Sequence, residues 1–414
     1  MVNSVIENGQ GELVIDPPHN KSGIHIDSFP SFPKFSCTDN SYVKYNKRNK
    51  RGDVYDPQRV FFKLDPFEVD SLGTFTNDGV QFAGTFVSGG IFNDLQEKLV
   101  IMPDHSLGFT RTTEYEGEPV YGGKATFKND INVSNQGIMG DGDFEYITSV
   151  AKSTDFIFYL DSMDAFAQEF TLEERMTGVE YPDVDAKNVN IHYEPGPDVM
   201  KVKNTTFPMT MYNYEARLDG ELTYNREAMI GAGVIDFDNA ELTSDLFDFK
   251  NTKFMADTAD FKLKSENEAE GIAFETKNMK TTIDLKERIG DFVANDGASY
   301  VNFPVNKYIC FMDQFKWFMD DFELELSSSD GAAKDANSGA GGNDLDLSGA
   351  EFISTHADQD SLMFVSPRAN YYLKDNIIKA HDVKYINVAD ARIYTGDGEI
   401  EVRKDADMKE LEQA

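Results

Sequence analysis

Asp141, Asp143 and Glu145 set a carboxylate at every second residue, with Asp155 and Asp161 close behind. Clustered oxygen donors are what calcium takes, so calcium is the one cofactor this chain invites; otherwise none is expected. The stretch lacks the twelve-residue ligand loop of a calcium hand, and acidic outer faces of strands account for it as well. Gly140-Asp141-Gly142 has two glycines of a phosphate loop but neither the third nor a following helix. Its counterpart, Gly231-Ala232-Gly233, shares no polar group with it. Backbone bends or close packing explain both copies. Of the histidines His19, His25, His105, His192, His356 and His381, only the first two are close in sequence. None forms a zinc pair on a helix. No Gly-x-Ser-x-Gly occurs, and no carboxylate pair suited to glycoside cleavage stands out among 73 acidic residues. The aromatic run Tyr308, Phe311, Phe315, Trp317 and Phe318 is the remaining candidate. Aromatic faces stack on sugars, which makes Tyr308, Phe315 and Trp317 the candidate ligand-binding residues. Core packing is the commoner use of such side chains. No catalytic residue is assigned, and the chain reads as non-enzymatic.

The elements that carry these residues repeat. Gly140 and Gly142 recur as Gly231 and Gly233, an offset of 91 residues (140 to 231). At the same offset Ser153 recurs as Ser244, Phe156 and Phe158 as Phe247 and Phe249, Ala165 as Ala256, and Phe170 as Phe261. A fixed offset without gaps means one structural unit laid down more than once. Within the unit, apolar residues come in pairs two apart: Ile235/Phe237, Ala240/Leu242, Phe247/Phe249, Phe261/Leu263. That spacing puts both members on one face of a strand. A coiled coil would need pairs three or four apart. Phe156, Phe158, Phe247 and Phe249 are therefore expected to face a common interior.

Composition agrees. The chain has 414 residues, 40% apolar and 12% aromatic, mostly Phe and Tyr, which favour strands. Its net charge of −34 argues against nucleic acid and anionic membrane surfaces as partners. Cys37 and Cys310 are no disulfide framework; two buried thiols are favoured over one long-range bridge. The residues after Met1 do not read as a signal peptide, and no run of about 18 apolar residues exists. The chain enters in strand-like sequence, Leu13-Val14-Ile15, and leaves in charged sequence after Ile400 and Val402. It is expected to be a piece of a longer chain, or to associate end to end.

Four segments follow. Residues 1–70 are strand-rich with a basic loop over Asn40 to Arg51. Residues 71–326 form a β-repeat body with units near 75–120, 131–170 and 222–264. Residues 327–349 are a low-complexity loop of Ser, Asp, Ala, Gly and Asn. Residues 350–414 are strand-rich again. Leu160 to Met176 has helical composition, yet the repeat makes it a strand to about Phe170. Tyr308 to Leu326 also reads as strands, tipped that way by Phe322-Glu323-Leu324-Glu325-Leu326.

The runs Ala83-Gly84-Thr85-Phe86-Val87-Ser88, Asn135 to Gly142, Asn306 to Phe315 and Lys384 to Ala391 resemble a group of very large, uncharacterised exported proteins of Bacteroidetes. The terminal strands around Ala369 to Val402 are loosely similar to the repeats of OstA-like and AsmA/TamB-like envelope proteins. The second likeness implies long β-grooves that shield lipid chains. The resemblances imply a periplasmic, outer-membrane-associated or extracellular place, and partners among envelope proteins or further segments of a longer chain.

The expected fold is all-β: an elongated repeat, either β-helix-like or a succession of open β-sandwich units, with little helix. The expected function is a cell-envelope scaffold or binding protein that guides an amphipathic, lipid-like ligand. The alternatives are a surface glycan-binding protein and, third, a calcium-dependent polysaccharide-acting β-helix enzyme.

Overall fold

Strands account for nearly all the ordered structure of the computed structural model, which describes residues 3–20, 31–72, 79–297, 299–328 and 349–411. Among the described residues helix is confined to short 3-10 turns such as Glu268–Glu270 and Ala357–Gln359. The loop expected over 327–349 falls almost wholly outside the described residues, as do Phe75 and His25. The chain divides into two compact units, residues 1–172 with 186–205, and residues 173–185 with 206–414.

In the first unit, the long strands Ala125–Ser134, Gly137–Tyr146, Ser149–Phe158 and Met163–Leu172 each pair antiparallel with the next. Leu107–Thr112 pairs with the first of these, and the hairpins before it run through Ser41–Lys44, Phe61–Leu64, Phe82–Val87 and Leu95–Ile101. The strand Ser41–Lys44 takes the first part of the loop expected over Asn40 to Arg51, and no strand or helix is formed from Tyr45 to Arg51. Val43 and Tyr45 alternate inward there at 1% and 2% exposure, and the basic residues sit between or after them. A separate three-stranded sheet consists of Gly11–Val14, Lys34–Cys37 and Phe67–Val69.

The second unit opens with the same antiparallel run: Met209–Met211, Ala216–Tyr224, Met229–Phe237, Ala240–Phe249, Lys253–Lys264 and Ile272–Asp284. It then splits into two rows. In the strand Ile272–Asp284, Glu275 and Thr276 pair with Ser299–Phe303, while Met279 to Asp284 pair with Ile289–Ala294. Asn278 between the two halves takes a left-handed φ of 55°, a conformation Asn tolerates better than most residues. From there the chain deals hairpins alternately. One row holds Ser299–Phe303, Tyr308–Met312, Ala350–Ser354, Met363–Ser366, Tyr385–Val388 and Ala391–Tyr394. The other holds Ile289–Ala294, Gln314–Phe318, Glu323–Ser327, Arg368–Tyr372, Ile377–His381 and Ile400–Val402. The rows meet through their inward aromatics, Phe274 on Phe315 and Phe303 on Tyr371, each at 5.1 Å between ring centroids. Every registered pairing among the described residues is antiparallel. That is the sandwich-like form of the repeat, not the parallel coil of a β-helix.

The repeat is carried down to single atoms. Ser149–Phe158 and Ala240–Phe249 keep the 91-residue offset at both ends. Each preceding strand breaks register at its glycine pair, Gly140/Gly142 and Gly231/Gly233. Ser153 and Ser244 are both buried. The Ser153 hydroxyl donates to Phe166 O at 2.7 Å and accepts from Asp155 N–H at 2.9 Å. The Ser244 hydroxyl donates to Thr258 O at 2.6 Å and accepts from Leu246 N–H at 3.1 Å. Phe156, Phe158, Phe247 and Phe249 are all 0% exposed.

The match also reaches residues not singled out in the sequence. Tyr121 donates to Ser162 O at 2.6 Å, and Tyr212, 91 residues on, donates to Lys253 O at 3.1 Å. Both tyrosines open a run of three left-handed residues. The first copy continues with Gly122 and Gly123, the second with Asn213 (φ 52°) and Tyr214 (φ 70°). Tyr214 is 70% exposed, and its tie is a surface hydrogen bond to Asp185 for which water competes, so little repays its backbone. A left-handed bulky residue costs about 1–2 kcal/mol, of which glycine's extra unfolded-state entropy returns part. Tyr214→Gly is thus expected to stabilise the protein by about 0.5–1 kcal/mol. A denaturation midpoint that falls would show that the Tyr214 side chain contributes more than its backbone costs.

Candidate ligand sites

The small sheet of the first unit has two unlike faces. Lys34, Ser36 and Glu68 lie on one, where Glu68 takes hydrogen bonds from Lys34 Nζ at 3.3 Å and Ser36 Oγ at 3.2 Å. Leu13, Phe35 and Val69 stand in register across the three strands on the other. This apolar face, with Ile6, Phe67, Leu72 and Phe82, borders an open cleft of about 380 Å³. Phe67 meets Phe82 edge-on at 4.7 Å and Phe35 at 6.2 Å, which fixes the aromatic wall. Leu13 is 56% exposed and Leu72 38%. A sheet face so apolar and so little covered contrasts with the rest of the interior, where most apolar side chains are sealed. Among the described residues none that is charged lines the cleft. It can hold an apolar group.

The aromatic candidates lie elsewhere. Tyr308, Phe315 and Trp317 are 0%, 3% and 1% exposed. Phe315 stacks on Phe292 at 4.2 Å, and Trp317 packs against Phe237 and Phe261, each at 5.7 Å. Burial pushes the Tyr308 phenol up to about 12. These are core residues, because alternation along Tyr308–Met312 and Gln314–Phe318 turns them inward. No aromatic shelf is formed by the three. Phe311, from the same run, points outward and meets Tyr300 at 6.0 Å.

The acidic stretch is dispersed. Glu145 is bound by Lys128 at 2.6 Å and Asp155 by Lys50 at 2.7 Å. Among the described residues no group of three or more His, Cys, Asp or Glu gathers as a metal site. Cys37 and Cys310 are free and buried, and burial pushes the Cys310 thiol up.

One ionic network was not visible in the sequence. His192 lies 2.6 Å from Asp164 through Nδ1 and 3.3 Å from Glu194 through Nε2. Lys201 binds Glu194 at 2.8 Å and holds its carboxyl below the usual range. His192 and Glu194 stand two apart on Val184–Glu194, while Asp164 and Lys201 come from neighbouring strands, which local spacing does not announce. The network reads as a charged outer sheet face.

Among the described residues no helix is long and apolar enough to cross a membrane. No protein-family model matches the chain, and no curated protein matches it in sequence.

Proposed function

We propose that this protein is a non-enzymatic scaffold or binding protein of a Gram-negative cell envelope, which takes an amphipathic ligand by its apolar part. The open apolar cleft beside Leu13, Phe35, Phe67 and Phe82 carries this reading. A face with that much uncovered apolar surface gains roughly 25 cal/mol for each Å² it loses to a ligand. The net charge of −34 selects against anionic headgroups, so a neutral or zwitterionic amphiphile is the fitting class. The envelope setting follows from the resemblance to exported Bacteroidetes proteins and to OstA-like and AsmA/TamB-like repeats. Envelope proteins or further segments of a longer chain are the partners it implies.

The test uses 1-N-phenylnaphthylamine, whose fluorescence rises in apolar sites. Saturable binding is expected, with displacement by lysophosphatidylcholine below its micellar concentration. Leu13→Glu changes an exposed residue, so the fold should survive. It is expected to weaken binding about tenfold, the effect of losing about 1.4 kcal/mol. Absence of saturable binding, or equal binding by Leu13→Glu, would sink the reading.

A further inference from the structure

Each strand of the two rows in the second unit turns alternate side chains inward and outward. The outward sets of the two rows differ. On the row that runs from Ser299–Phe303 to Ala391–Tyr394, the register lines up Tyr300, Phe311, Glu351 and Val365 across four strands. The pair Phe364↔Ile386 then sets Val365 opposite Tyr385, which pairs with Tyr394. A second outward line, two residues along, has Ile309, Ile353 and Met363 at its middle. Tyr300, Phe311 and Tyr394 are 48%, 39% and 65% exposed, and the side chains between them are half-buried. Only Glu351 and Arg392 carry charge in the two lines. Burial among its neighbours pushes the Glu351 carboxyl up. Arg392 stands on the last strand, its guanidinium 3.9 Å over the Tyr385 ring.

The middle of the other row's outward face is a charged ladder. Asp291, Lys316, Glu325, Asn370, Lys379 and Glu401 stand in register across its strands. Lys316 binds Asp291 at 3.3 Å. The apolar residues beside that ladder, Ile289, Phe318, Tyr372 and Ile377, are interrupted by Glu323 and are each half-buried. Lys379 Nζ lies 5.2 Å from the centre of the Tyr372 ring. Of the large apolar side chains on this row only Val293, on its first strand, is exposed. The pair of rows is therefore apolar on one outward side and charged along the other.

We infer that the apolar outward face rests on a bilayer of zwitterionic lipid. Six strands by five residues give it a footprint of about 29 Å by about 17 Å, roughly 500 Å². A patch of that size is large for a surface that nothing covers. A second copy seated on it would bring the buried total to only about 1,000 Å², the floor for a specific interface. It would also set two chains of net charge −34 against each other. A zwitterionic lipid surface meets neither obstacle, since it needs no matching shape and carries no net charge. The tyrosines at the two ends, Tyr300 with Tyr385 and Tyr394, suit its boundary: a phenol keeps its ring in the apolar layer and its hydroxyl among the headgroups. One apolar and one charged side is also what holds an amphipathic helix between lipid and water. The face is built from second-unit strands alone and the cleft beside Leu13 from first-unit residues, so the inference does not rest on what the cleft takes.

The full chain is floated with phosphatidylcholine vesicles, and with vesicles that also contain phosphatidylglycerol. Binding to the first is expected, and weaker binding to the second. Phe311→Glu and Tyr394→Glu each put a carboxylate on the face, and each is expected to weaken partitioning about tenfold. Gln314→Glu makes the same change of charge at an exposed outward position of the other row, and should bind as the parent does. Leu13→Glu alters the cleft and should also bind vesicles as the parent does. If Phe311→Glu lowers the melting temperature, the more exposed Tyr394→Glu carries the comparison. No flotation with phosphatidylcholine vesicles would overturn the inference. So would stronger binding when phosphatidylglycerol is present, or an equal loss in Gln314→Glu. A loss confined to Leu13→Glu would place the lipid in the cleft and overturn it as well. Sedimentation offers the remaining check: a parent dimer that Phe311→Glu turns into a monomer would give the face to a second copy, against the inference.

Discussion

Gly233→Ala is expected to lower stability by at least about 2 kcal/mol. A Cβ built there lies 2.2 Å from the backbone oxygen of Asp219, and the residue's φ is 133°. Both costs apply at once. The backbone region is one that side-chain-bearing residues occupy at about 1–3 kcal/mol, and overpacking against a neighbouring strand adds a similar amount. The obstacle is backbone, held in the ladder between Ala216–Tyr224 and Met229–Phe237, so it cannot swing aside as a side chain would. Gly142, the first-copy equivalent, has φ 156° and a Cβ position 2.0 Å from Lys128 O. The same substitution should cost the same there. Gly196→Ala is the control, since a Cβ at Gly196 meets nothing within 4 Å. With melting shifts of roughly 2–4 °C per kcal/mol for a unit of this size, the melting temperature of Gly233→Ala should fall by at least about 4 °C. A shift no larger than that of Gly196→Ala would mean that the bulge relaxes freely, and that the paired glycines are not what sets it.

The glycines were legible in the sequence because their requirement is local. A residue that must turn the strand and let a neighbour's backbone approach leaves a glycine wherever the unit is copied. The strands were legible for a similar reason: alternation records which face is buried, whatever lies beyond it. Leu160 to Met176 shows how far that goes. Its composition is helical, yet Met163–Leu172 is a strand, with Ala165, Ala167 and Phe170 turned inward. The repeat register found it where propensity did not. Pairing was not legible. Nothing in Tyr308–Met312 says that its second neighbour is Ala350–Ser354 and not the strand that follows it. That choice depends on which row each hairpin joins, and both rows have the same alternation. The aromatic run misled for the same reason. Tyr308, Phe315 and Trp317 carry the chemistry of a sugar shelf, but a facing row covers them. The cleft beside Leu13 was hidden too, because its walls come from segments as far apart as Ile6 and Phe82.

Phe261→Ala should give the largest loss among core truncations, about 3–5 kcal/mol. Phe261 is 0% exposed and closes the repeat at the position of Phe170. Its ring lies 4.3 Å from that of Phe292, 5.7 Å from Trp317, 5.9 Å from Phe315 and 6.0 Å from Phe274. These partners come from one row and from the strand that feeds both. Phe274 sits in Ile272–Asp284, and Phe292, Phe315 and Trp317 lie in the row that starts at Ile289–Ala294. The void left by the ring could close only if that strand and that row both moved, and their ladders oppose that. Aromatic pairs add about 0.5–1.5 kcal/mol beyond area burial, and four are lost here. Urea denaturation followed by Trp317 emission reads the effect next to its source. The midpoint should fall without a large change in slope, because the area exposed on unfolding is nearly the same. An unchanged midpoint would mean that the rows collapse onto the vacated space at no cost, and that the interior between them is not close-packed.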